Sequence, residues 1–100
     1  MRNGYGPSIL QDVDGCFLCG RTDSKLDRHE VFPGAYRAKC KRLGLWVLLC
    51  HEGCHEGKFG VHQNPEMRNM LKRFAQNRAM SYYRWDMYDW IREFGKNYLE

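Results

Sequence analysis

"LLCHEGCHEGKFGVH", residues 48–62, carries two cysteines and three of the chain's four histidines within fifteen positions. Cys50 and Cys54 are one helical turn apart, so on a helix both thiols face the same way. His55 follows directly, and His51 and His62 flank the group. An ordinary core segment has no use for this composition. A metal site, a disulfide knot and a catalytic centre are the readings it admits, and the rest of the chain decides between them.

The partners lie upstream. "CFLCG" places Cys16 and Cys19 in a CxxC pair, with thirty residues between Cys19 and Cys50. Structural zinc takes four soft ligands in a tetrahedron, which two short-spaced cysteine pairs supply. Cys16, Cys19, Cys50 and Cys54 are therefore the expected zinc ligands, with His51 or His55 able to stand in for Cys54. Cys40 has no close partner in sequence and reads as a loop thiol. Five cysteines cannot pair completely, and the start "MRNGYGPSIL" has no apolar leader region, so reduced thiols in a cytoplasmic setting are expected. No run approaches the ~20 apolar residues of a membrane span.

One hundred residues make a single small domain in which a metal staple supplements a marginal core. Residues 1–14 read as a polar tail that docks through Ile9 and Leu10. Residues 15–62 read as a zinc-binding core, and 63–100 as C-terminal helices. Within the core, "KLDRHEVF" has an extended pattern stopped by Pro33-Gly34, and the apolar run from Leu43 to Leu49 has strand length. Cys50 to Lys58 fits a short helix. Asn64-Pro65-Glu66 is a helix start: an N-cap, a proline at the first position and an acid in the first turn. Met67, Met70, Leu71, Phe74 and Ala75 then form one apolar face. A second helix is expected from about Ser81, with Tyr83, Met87, Trp90, Ile91 and Phe94 as its core stripe and Gly95 as its cap. The fold class that follows is α+β.

Net charge is +4. Arg37, Lys39, Lys41 and Arg42 lie in a stretch without an acid, which reads as a basic loop able to meet phosphates. Zinc leaves His29, His55 and His62 unused. Together with Glu30 they suit a second, divalent metal that activates water.

These segments, "CFLCG", "DRHEVFPGAYR", "GLWVLLC" and "CHEGCHEGKFGVH", resemble the HNH (ββα-metal, His-Me finger) endonucleases, in particular a compact zinc-bearing branch of phages and prophages. "SILQ", "GVH" and "FGKNYL" extend the likeness over almost the whole chain. The resemblance implies a zinc-stapled ββα-metal core with two C-terminal helices, in a bacterial host cell. It implies a nuclease that hydrolyses phosphodiester bonds of double-stranded DNA, with Mg²⁺ or another divalent ion beside a structural Zn²⁺. With Val31 in the family's aliphatic position, His29 holds the ion and Glu30 is the general base. In the other register His29 is the base and Arg28 occupies the metal position. His55, and with it His62, takes the catalytic ion, while Arg28, Arg37, Lys39, Lys41, Arg42 and Lys58 meet the DNA. The family's orienting asparagine has no match near Gly44 or Leu45. A catalytically disarmed zinc module that binds nucleic acid or a protein is the alternative.

Overall fold

Two β-strands pair antiparallel, β1 (Leu26–Glu30) and β2 (Trp46–Cys50), with His29 opposite Val47 and Asp27 opposite Leu49. The computed structural model describes residues 5–12, 14–23, 25–57 and 60–99; Lys58, expected at a phosphate, lies outside them. Alternation along a strand puts Asp27 and His29 on one face with Val47 and Leu49, both fully buried. Leu26, Arg28 and Glu30 take the opposite face. The described residues also form three α-helices, which makes the molecule a small α+β protein. None of these helices is long and apolar enough to cross a membrane.

The strands are joined by structure where a loop was expected. A 3₁₀ turn (Gly34–Tyr36) leads into α1 (Arg37–Leu43), and neither start has a side-chain cap. Tertiary burial holds α1 instead. Cys40 is fully buried; its Sγ–H donates to the Phe32 carbonyl, and its sulfur lies 3.4 Å from the Phe32 amide. The reading of Cys40 as a loop thiol is corrected accordingly: it is a core residue. Gly44 closes α1 in the left-handed region at φ 81°. A side chain there would also fall on the Pro7 carbonyl, because the N-terminal segment runs against this corner. That segment is well tied. Ile9 donates to the Gly44 carbonyl at 3.0 Å, the Trp46 indole donates to the Gly6 carbonyl at 2.9 Å, and Leu10 is buried as expected.

After β2 the chain makes a π-helical turn (His51–His55). The following loop returns through Gly60, where a Cβ would sit 2.8 Å from the Cys54 carbonyl oxygen. That close approach lets the Val61 amide bond the same oxygen at 2.8 Å and folds His62 back over the turn. Helix α2 (Pro65–Tyr83) starts on the expected Asn64 cap, whose side chain accepts from the Met67 amide. It runs further than its sequence suggests, because the break comes at Arg84 (φ 57°) and not before Ser81. Helix α3 (Met87–Phe94) begins at an Asp86–Asp89 capping box and ends on Gly95. Trp90 and Phe94 stack at 4.4 Å between ring centroids and pack on Phe32. Leu71, Ala75 and Ala79 are the buried face of α2, whereas Met70 and Phe74, expected in its core stripe, remain over a third exposed.

Candidate metal centres and the basic cavity

The CxxC segment forms a tight turn after which Gly20 donates to the Cys16 carbonyl, and Phe17 donates to the Leu48 carbonyl of β2. These bonds bring the knuckle against the end of β2, where Cys50 leads into the π-helical turn bearing Cys54. One sulfur from each of Cys16, Cys19, Cys50 and Cys54 lies within 4.8 Å of every other. Cys19 Sγ and Cys50 Sγ are 3.7 Å apart. A tetrahedral ion with metal–sulfur bonds of ~2.3 Å has an edge of about 3.8 Å, so the four cysteines fit a metal such as zinc.

Electrostatics agree with the geometry. Burial opposes the Cys16 thiolate, but the backbone amides of Cys19, Cys50 and Leu18 outweigh it and lower its pKa to about 6. Burial and the neighbouring thiols Cys16, Cys50 and Cys19 push Cys54 well above its ordinary value. Four thiolates cannot share this space without a cation.

The second cluster is assembled from three separate segments. His29 comes from β1, His55 from the π-helical turn and His62 from the loop beyond Gly60. One ring nitrogen of each lies within 4.8 Å of the others. His55 Nε2 and His62 Nε2 are 3.0 Å apart. His29 is 8% exposed, and burial, followed by the proximity of His55, His62 and Lys72, lowers its pKa to about 4. It is therefore neutral near pH 7, the form in which an imidazole binds a metal. Glu56 Oε2 lies 3.5 Å from His55 and 3.6 Å from His62, adding a carboxylate that nothing in the sequence singles out.

These histidines open onto a cavity of about 470 Å³, also lined by Arg28, Glu30, Arg37, Arg68 and Lys72. Arg68 and Lys72, one turn apart on α2, escape a reading of that helix for its apolar face alone. Arg68 donates to the carbonyls of Val61 and His62 at 3.2 and 3.1 Å, so it also anchors the His62 loop. Glu30 has both oxygens engaged, by the Tyr5 hydroxyl at 3.0 Å and by Arg37 Nε at 3.3 Å. Arg28 stacks 4.5 Å over Tyr5 and 5.4 Å over Trp46. Lys41 also lies over Tyr5, and Arg42 is exposed. Lys39 points away from the cavity's lining and binds α3, donating to the Glu93 carbonyl at 2.7 Å and pairing with its carboxylate at 3.4 Å.

Asp27 lies beside the imidazole cluster and bonds two histidines of the π-helical turn. Its Oδ2 lies 2.5 Å from His51 Nδ1 and 2.9 Å from His55 Nδ1. Burial opposes the Asp27 carboxylate, yet the two imidazole partners outweigh it and keep its pKa below the usual carboxylate value. His51 is half-exposed and tied to this aspartate. No protein-family model, curated protein or solved structure matches this chain.

Proposed function

We propose that this protein is a metal-dependent DNA endonuclease of the HNH kind, with a structural zinc on the four cysteines and one divalent ion on His29, His55 and His62. The observation that carries the reading is the convergence of three imidazoles from three segments in a cavity also lined by Arg28, Arg37, Arg68 and Lys72. Neutral imidazoles favour a borderline divalent ion, and guanidinium and ammonium groups around it suit the charges of a phosphodiester. Such an ion, when bound, stabilises the negative charge that develops on phosphate oxygens.

The chain supplies the remaining chemistry. Arg37 and Arg28 hold the phosphate backbone on one side, and Lys72 meets it on the other. Glu30 takes a proton from the attacking water as the new P–O bond forms; the ester bond to the sugar oxygen breaks, and that oxygen leaves with the bonding pair and takes a proton from solvent. Its Oε1 becomes available when Arg37 turns from the carboxylate to a phosphate; Tyr5 keeps Oε2 in place. Transfer of Arg37 to the substrate thus couples DNA binding to release of the base.

A second reading is favoured by the same bonds to Glu30. Both Glu30 oxygens already have partners, which leaves no free site for a water's proton, and a disarmed zinc module that binds nucleic acid or a protein would retain everything else. Plasmid nicking by the zinc-loaded protein with added Mg²⁺, Mn²⁺ or Ni²⁺, against a chelator control, separates them. Metal-dependent nicking supports the nuclease; intact plasmid under every ion supports the module.

A further inference from the structure

We infer that Asp27 is a positioning residue that fixes the tautomer and ring orientation of His55, so that the His55 Nε2 lone pair is presented to the cation cluster. This rests on the proposed cation site at His29, His55 and His62, and it adds a residue that the metal-ligand pattern does not contain. Asp27 and His29 are two apart on β1 and therefore share a face. That register places one carboxylate behind the imidazole ring whose front faces His29 and His62.

Hydrogen-bond valence selects the tautomer. An ionised carboxylate only accepts. Asp27 Oδ2 lies 2.9 Å from His55 Nδ1, so this bond requires the proton of the neutral ring to sit on Nδ1. Nε2 is then unprotonated, and it is the atom that lies 3.0 Å from His62 Nε2. The side chains of Asp27 and His55 are 18% and 14% exposed, so water competes weakly for the bond. A carboxylate behind a ligating imidazole orients the ring and raises its basicity, and loss of such a partner typically costs about 10–100-fold in metal affinity.

His51 complicates the arrangement in an informative way. Its Nδ1 shares Asp27 Oδ2 at 2.5 Å, which makes Asp27, His51 and His55 a cation candidate in their own right. His55 cannot present Nδ1 to one ion and donate from it to Asp27. In the positioning role, His51 is a second donor that steadies Asp27 and contributes no ligand.

The experiment uses the zinc-loaded protein and Mn²⁺, which displaces zinc from thiolates poorly. Free Mn²⁺ is followed by electron paramagnetic resonance, and the His55 tautomer by ¹⁵N chemical shifts of its ring before Mn²⁺ is added. Asp27→Ala should weaken Mn²⁺ about 10–100-fold and move the Nδ1–H signature of His55 toward a mixture. Asp27→Asn, whose amide oxygen still accepts one bond, should retain much of both. His51→Ala should change affinity by no more than about threefold. An unchanged tautomer and affinity in Asp27→Ala overturns the inference. So does an equal loss in His51→Ala, which would assign Asp27, His51 and His55 as ligands. Wild type that binds no Mn²⁺ would defeat the proposed cation site alone, and the tautomer comparison would still decide the role of Asp27.

Discussion

Cys54 donates its amide to Cys50 Sγ at 3.3 Å across the π-helical turn that also carries His51 and His55. The thiol cluster and the imidazole cluster therefore share one short piece of backbone. Whatever holds the sulfurs also holds the rings.

Removing zinc should consequently remove the second cation site. In a small domain the metal contributes folding free energy directly. A strong chelator should strip one zinc and abolish most helicity, and Cys50→Ser should do the same. After zinc is removed, Mn²⁺ binding by the histidines should also disappear. A chain that keeps its circular dichroism and its Mn²⁺ affinity without zinc would show that the two sites are independent.

Cys40 should behave unlike the other four cysteines. Burial raises its pKa to about 12, so the folded state favours the neutral thiol. In the unfolded chain it ionises near pKa ~8.5. Its contribution to stability is full below about pH 8.5 and falls as pH rises toward 12. Cys40→Ala should flatten that alkaline loss relative to wild type in urea midpoints measured from pH 8 to 10. In the zinc-loaded protein, iodoacetamide at pH 8 should leave Cys40 unmodified until the chain unfolds, a point mass spectrometry can check.

Two glycines test backbone against packing. Gly20 and Gly44 both have φ near 80°, but only Gly44 meets neighbouring atoms where a Cβ would go. Gly20→Ala should cost about 1 kcal/mol, the lower end for a non-glycine residue in the left-handed region. Gly44→Ala should cost appreciably more, because it also displaces Pro7 and the bond from Ile9 to the Gly44 carbonyl. Equal urea midpoints for the two variants would contradict the docking of the N-terminal segment.

The cationic side chains should separate by their partners. Removing one cation from a bound phosphate lowers the slope of log affinity against log salt by about one. Arg37→Ala and Lys72→Ala should show this, since both line the cavity. Lys39→Ala should leave the slope unchanged and lower thermal stability instead, because its ammonium is already bound to Glu93. A reduced slope for Lys39→Ala would mean that Glu93 releases it to DNA.

The legible parts of this molecule are those written as short spacings. CxxC and CxxxC point to the sulfur cluster, and the leftover histidines to the imidazole cluster, because few other uses exist for those residues so close together. Asn64-Pro65 marks α2 through local capping alone. Helix α1 is hidden: it lacks a capping side chain, spans seven residues, and depends on burying Cys40 beneath Phe32. Asp27 is hidden for a related reason. Its partner His55 is 28 positions away, and only the strand face shared with His29 hints at its direction. Lys39 shows the converse error, where a basic stretch reads as one surface although helix formation turns one of its members toward α3.

Cleavage itself should divide the histidines from Glu30. If His29, His55 and His62 hold the ion, His29→Ala and His55→Ala should each abolish plasmid cleavage while zinc content and helicity stay intact. Glu30→Ala should lose about 10²–10⁴-fold if Glu30 takes the proton from water. It should also free Arg37, so DNA binding by this variant should hold or tighten even as cleavage falls. Glu30→His should preserve activity near neutral pH, because imidazole titrates near pKa ~6.5. The opposite pattern has a definite meaning. If Glu30→Ala cuts at the wild-type rate, while His29→Ala is inactive and still binds Mn²⁺, the base is His29 and the pairing of Glu30 with Tyr5 and Arg37 is structural.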